Sequence, residues 1–167
     1  MKHTTYPLHV AGLVRDLPIC RVNDNLYIGA FVIFGDVELT ECCARDLLKV
    51  APEHDIIITA ESKGIPLAYE MAKQSGNNRY LIARKIPKLY MKNVFTVKVN
   101  SITTAKEQTL CIDEEGGGNA HHSAQQLGKI PIGDQAGVYL RPRGLADGNG
   151  GLQRLGILST GKVAHQT

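Results

Sequence analysis

Hydrophobic spacing changes several times along this chain, and each change predicts an element. Residues 55–59 read DIIIT, a β-branched run without polar alternation, as expected of a central parallel strand buried on both faces. Residues 65–74 carry helical spacing, which Gly76 and Asn77-Asn78 terminate. A second buried strand is predicted over 80–83. Strand, helix and strand within about 30 residues form a βαβ unit, with a right-handed crossover and parallel strands. Upstream, Pro18, Asn23-Asp24-Asn25 and Gly35 punctuate two short strands, 17–22 and 26–34. The apolar stripe over 27–34 is expected in the core. Asp36 is placed as an N-cap, with Glu38 in the first turn of a helix running to about Val50. Leu39, Cys43, Leu47 and Val50 form its apolar face. Residues 94–100 alternate, with Phe95, Val97 and Val99 against Thr96, Lys98 and Asn100. Residues 109–112 can return beside them, making an antiparallel hairpin or extended arm with a polar tip at 101–106.

After Glu115 the pattern lapses. Twelve of the 17 glycines lie between Gly116 and Thr167, and neither alternation nor a helical stripe persists. The chain therefore divides into a patterned region, 1–115, and a Gly-rich tail, 116–167, for which no element is assigned and flexibility is the simplest expectation. A chain of 167 residues with 43% hydrophobic and 21% charged residues is globular in composition and of single-domain length. The fold class expected is α/β, an open parallel sheet with flanking helices.

Charge and cysteine content narrow the function classes. A net charge of +3 is too mild to imply general polyanion binding. Its distribution is more informative: from Met71 to Lys106 there are eight basic residues and no acidic one. Such a segment is either a solvated basic face or a positive field suited to a compact anion. Cys20, Cys42, Cys43 and Cys111 form no CxxC pair, so reduced thiols in a cytoplasmic protein are expected. The first residues lack a signal-peptide pattern, and the apolar run at 27–34 is too short to span a bilayer.

The candidate chemistry lies where the two buried strands end. Parallel α/β sheets bind ligands beyond the carboxyl ends of their strands. Glu61-Ser62-Lys63-Gly64 follows the first strand and Arg84-Lys85 the second. The first turn meets a helix N-terminus, which favours an anion. Gly64 permits close backbone approach, Ser62 offers a hydroxyl and Lys63 a charge. Arg84 can fork onto a phosphate, with Lys85 and Lys88 adding point charges. A diphosphate is the ligand these residues suggest. The competing reading is structural, with Ser62 capping the helix and Lys63 merely exposed.

The stretches DIIITAESKGIPLAYEMA, RYLIARKIPKLY and the alternating arm up to LCIDEE resemble the type I phosphoribosyltransferases, in their adenine and xanthine purine-salvage branch. The likeness covers roughly residues 8–115 and is most specific over 50–92. It implies that Glu61, Ser62, Lys63 and Gly64 form a diphosphate loop, which in this family often contains a non-proline cis peptide. Arg84, Lys85 and Lys88 would bind diphosphate and reach toward a neighbouring subunit's site. Residues 90–109 would be a flexible loop that closes over the reacting centre. The N-terminal segment with Leu13, Val14 and Arg15 would be a small hood over the purine. The implied substrates are phosphoribosyl diphosphate and a purine base, with Mg²⁺ as cofactor, in a homodimer. The implied activity is that of a glycosyltransferase, with no role for nucleic acid or membrane.

One part of the family pattern is missing. A hydrophobic strand, an acidic pair for the ribose hydroxyls and a Thr-Gly-Gly-type 5′-phosphate loop should follow the arm. The chain has KIPIGDQAGVYLRPRGLADGNGGL there, with Asp134 alone, and LSTGK at 158–162 follows neither strand nor acidic pair. A shifted reading frame fits the change: codons for residues 146–151, read one base later, can spell Leu-Met-Ala-Met-Glu-Ala, an amphipathic text. Residues 116–119 yield similar text. Three readings stay open: a purine phosphoribosyltransferase with impaired catalysis, a non-catalytic sensor of phosphoribosyl diphosphate or nucleotide, and a non-functional product of a broken frame. His121-His122 lacks a partner at metal-ligand spacing, His9 and His54 are lone residues read as structural, and Asp113-Glu114-Glu115 could hold Mg²⁺ but reads first as a solvated acidic loop, so no metal ligands are assigned.

Overall fold

The structure is a computed structural model that describes residues 5–100, 107–113, 137–142 and 153–156. An N-terminal antiparallel sheet holds β1 (Thr5–Val10), β2 (Leu13–Asn23) and β3 (Leu26–Gly29). Val10 pairs with Leu13 across Ala11 and Gly12, both at positive φ (51° and 78°). That is the primed two-residue turn matching strand twist. β1 was not among the expected strands, although Tyr6, Leu8 and Val10 alternate with polar or imino positions.

The strand expected over 26–34 stops at Gly29. Its ladder to β2 closes where Ala30 N–H donates to the Pro18 carbonyl (2.9 Å), because Pro18 has no N–H to return. Consequently Tyr27, Val32 and Phe34 are exposed and only Ile33 is a buried side chain of that stripe. The apolar run leads the chain toward the first helix instead of filling the core.

Helix α1 (Val37–Val50) begins as expected: Asp36 is its N-cap and accepts from Leu39 N–H at 3.0 Å. Leu39, Cys43 and Ala44 are buried, whereas Val50 is 70% exposed. Val50 has the right angular position, but α1 ends there, and at this end the core is reached only by Leu47, Leu48 and Ala51. Strand β4 (His54–Ala60) leads into α2 (Ile65–Gln74) and then β5 (Leu81–Ala83). The βαβ reading holds: β4 and β5 are parallel, with Ile58 opposite Leu81 and Ala60 opposite Ala83. Gly76, at φ +72°, lies just past the end of α2, where a left-handed residue lets the chain turn back. The arm is β6 (Phe95–Asn100) paired antiparallel with β7 (Glu107–Ile112); its expected tip, 101–106, lies outside the described residues.

Two segments of the Gly-rich region are strands. β8 (Gly137–Pro142) pairs antiparallel with β4, and β9 (Gln153–Gly156) with β8, giving the order β5-β4-β8-β9. The fold is thus mixed α/β, with one parallel pair in a sheet whose other neighbours are antiparallel.

β4 explains why both its faces read as apolar. Ile56, Ile58 and Ala60 face one core cluster with Leu81, Ala83, Leu110 and Ile112. Ile57 faces the other, with Leu39, Cys43, Leu67, Met71, Val138 and Leu140. The arm covers one face of the sheet and the helices the other. Among the described residues no helix is long and apolar enough to cross a membrane. The four cysteines are unpaired, and burial pushes the Cys43 thiol up to about 11, leaving it protonated.

Candidate anion-binding site

Parallel register brings the two strand ends level. Beyond the Ala60–Ala83 pair, Glu61 N–H donates to the Ala83 carbonyl at 2.9 Å, so Glu61 and Arg84 leave the sheet side by side. The Glu61 carboxylate then joins the two turns. Arg84 Nη1 donates to its Oε1 and the Lys85 backbone N–H to its Oε2, each at 3.2 Å. The Lys85 N–H, and after it the Arg84 guanidinium, hold this carboxyl below the usual carboxylate range against the opposing effect of burial. Lys88 acts on the same carboxylate through space.

On the β4 side, Ser62 and Lys63 are exposed and Gly64 is buried. The Glu61–Ser62 peptide is cis. Gly64 is the N-cap of α2, and no side chain caps the helix. The structural alternative, Ser62 as a side-chain cap, is therefore not what the turn uses. Ser62 contributes its carbonyl, which accepts from Ile65 N–H at 3.2 Å. Its hydroxyl and the Lys63 ammonium remain on the exposed side of a helix N-terminus, the arrangement that favours an anion. The two turns carry Lys63, Arg84, Lys85 and Lys88 against one acidic residue, Glu61, so the charge of these segments is net positive.

Two contacts to Arg84 were not foreseen. Its backbone is bridged to the arm: Arg84 N–H donates to Cys111 O and Cys111 N–H to Arg84 O, both at 2.8 Å, with the Cys111 thiol donating to the same Arg84 carbonyl at 3.1 Å. Its Nη2 also donates to the Tyr90 hydroxyl at 3.4 Å. Cys111 lies 27 positions away, beyond the reach of periodicity arguments. Tyr90 sits in a loop where only its proximity to the Arg-Lys pair was a signal. Arg84, Tyr90 and Met91 line a cavity of about 170 Å³ together with Ile112 and Asp113. A larger one, about 600 Å³, lies at the opposite end of β5, between Tyr69, Lys73, Arg79 and Tyr80.

Leu13, Val14 and Arg15 lie on β2. Leu13 packs on the helix-side core and Val14 is exposed. Arg15 grips the start of α1: Nε and Nη2 donate to the Asp36 oxygens at 2.7 and 3.2 Å, and Nη2 also to Glu38 at 2.8 Å. No metal-holding group of three or more His, Cys, Asp or Glu side chains occurs among the described residues. His54 Nδ1 lies 2.9 Å from the Pro52 carbonyl at the start of β4.

No family model and no curated protein matches the chain. The functional assignment therefore rests on the residues and their geometry.

Proposed function

We propose that this chain is a purine phosphoribosyltransferase-like protein that retains the diphosphate-binding half of its site. The observation that carries the reading is the convergence at Glu61: one carboxylate ties the β4–α2 turn to Arg84 and Lys85 at the carboxyl end of a parallel strand pair. Four cationic residues and a serine follow the two strand ends, beside a helix N-terminus without a side-chain cap, a combination suited to a compact polyvalent anion. In the reaction, the bond between the ribose carbon and diphosphate breaks and a bond to a purine nitrogen forms. The purine loses its N–H proton, and the cationic cluster stabilises the departing diphosphate. Glu61 is already hydrogen-bonded twice, so it is not a free ligand for magnesium. Mg²⁺ would arrive on the diphosphate's own oxygens. The protein would act in the cytoplasm as a homodimer, with an open parallel sheet as its ancestral fold.

A second reading is favoured by one observation. β8, antiparallel, pairs with β4, and the sequence after the arm holds no acidic pair followed by a Thr-Gly-Gly-type loop. Binding without transfer, as in a phosphoribosyl diphosphate sensor or the remnant of a shifted frame, fits that arrangement. Calorimetry with diphosphate tests what the readings of transfer and sensing share. The wild type should release heat of binding, Arg84→Ala should weaken it by about tenfold or more, and Lys63→Ala by a smaller factor. Absence of heat with the wild-type chain would remove the anion site. Nucleotide formation from a purine, phosphoribosyl diphosphate and Mg²⁺ separates transfer from sensing.

A further inference from the structure

We propose that Glu61 is an internal competitor: its carboxylate occupies, in the free chain, the donors that an incoming phosphate group uses. The proposal rests on the reading of this turn as a diphosphate site.

The two Glu61 oxygens take one donor each, a side-chain N–H of Arg84 and the backbone N–H of Lys85. Two oxygens of one anion, bound by an arginine and a main-chain amide, are what a phosphate group would present at the same place. Both bonds are 3.2 Å long, whereas charge-assisted N–H···O bonds close to about 2.7–2.9 Å. The carboxylate therefore holds its donors loosely. The side chains of Glu61 and Arg84 are 26% and 29% exposed, so water has access to the pair and the carboxylate has somewhere to go.

Arg84 does not depend on Glu61 alone for its position. Cys111 fixes its backbone through two 2.8 Å bonds and the thiol, and its other guanidinium nitrogen has a longer, 3.4 Å contact to the Tyr90 hydroxyl. When Glu61 leaves, the Arg84 backbone and the Lys85 N–H that follows it stay tied to the arm. Lys63, Lys85 and Lys88 supply the remaining positive field for the ligand.

The consequence is a threshold on affinity. If the donors are open for only a fraction of the time, every anion binds more weakly by that fraction. A single phosphate, with few other contacts, then falls below useful affinity. A diphosphate, which also reaches Ser62, Lys63 and the helix N-terminus, remains above it. Opening of the site and release of Glu61 are one event.

Calorimetry with diphosphate and with inorganic phosphate on the full chain tests this. Glu61→Gln should tighten both ligands by about tenfold, because an amide cannot satisfy two facing donors and carries no charge. A thermal melt confirms that the variant is folded. Should it not fold, Glu61→Asp carries the test: one methylene shorter, its carboxylate falls short of the two donors, and both ligands should tighten by about threefold. Unchanged or weaker binding in the folded variant would make Glu61 a positioning residue for Arg84 and overturn the proposal. Binding by the wild type separates that outcome from failure of the site itself, which would show as no heat from the wild type or either variant.

Discussion

Asp36 shows how much one side chain can organise. It caps α1 through Leu39 N–H and receives two bonds from Arg15, so β2 and the first helix are pinned at the same carboxylate. The Arg15 guanidinium, and after it the Leu39 N–H, hold the Asp36 carboxyl below its ordinary value near 3.8. A depressed folded pKa contributes stability that is present above the unfolded value and lost as pH falls through the folded one. Melting temperature should therefore drop below about pH 4 more steeply in the wild type than in Asp36→Asn, which has no carboxylate to protonate. At neutral pH, Asp36→Ala should cost about 1–2 kcal/mol in urea unfolding through loss of the cap. Arg15 also illustrates a residue whose expected role, in the purine hood, competes with the partners the fold supplies.

Elements differ in how plainly the sequence announces them. α2 has its expected limits, and α1 follows its expected N-cap, because helical spacing and capping are local signals. β1 was legible in the alternation of Tyr6, Leu8 and Val10, yet its existence depends on the turn at Ala11-Gly12 that brings it back to β2. Gly12 has φ +78° with nothing within 4 Å of a would-be Cβ. Gly12→Ala should therefore destabilise by about 1 kcal/mol for backbone reasons alone, and Gly12→Asn by less. Equal stability of the two variants in urea would show that this hairpin does not hold its turn in the left-handed region. The premature end of β3 was decided by Pro18, a partner residue distant in sequence, so its own composition pointed the wrong way.

At the scale of the molecule, the sheet is built from two kinds of text. β4, α2 and β5 form a parallel unit from a continuous patterned stretch, while β8 and β9 come from the Gly-rich region. Val138 and Leu140 are fully buried in the helix-side cluster beside Ile57. If β8 is structural, Leu140→Ala should cost about 2–4 kcal/mol, as for other buried large-to-small changes. No change in the unfolding midpoint would mean that residues beyond the arm are a passenger and that β4 is covered some other way.

The sequence by itself determined what local rules can carry: the two helices, the parallel strand pair with its both-faces-apolar β4, the arm, and the placing of an anion-suited turn at a strand's carboxyl end. Spacing, capping and β-branched runs act over a few residues, and the chain satisfies them without reference to distant partners. Only the tertiary structure decided that Glu61 closes onto Arg84 and Lys85, that Cys111 and Tyr90 steady Arg84, that Arg15 serves α1, and that β8 lies antiparallel beside β4. Each of these joins groups many positions apart. The energies involved, a few hydrogen bonds and a shared apolar face, become available only once the sheet has set the register.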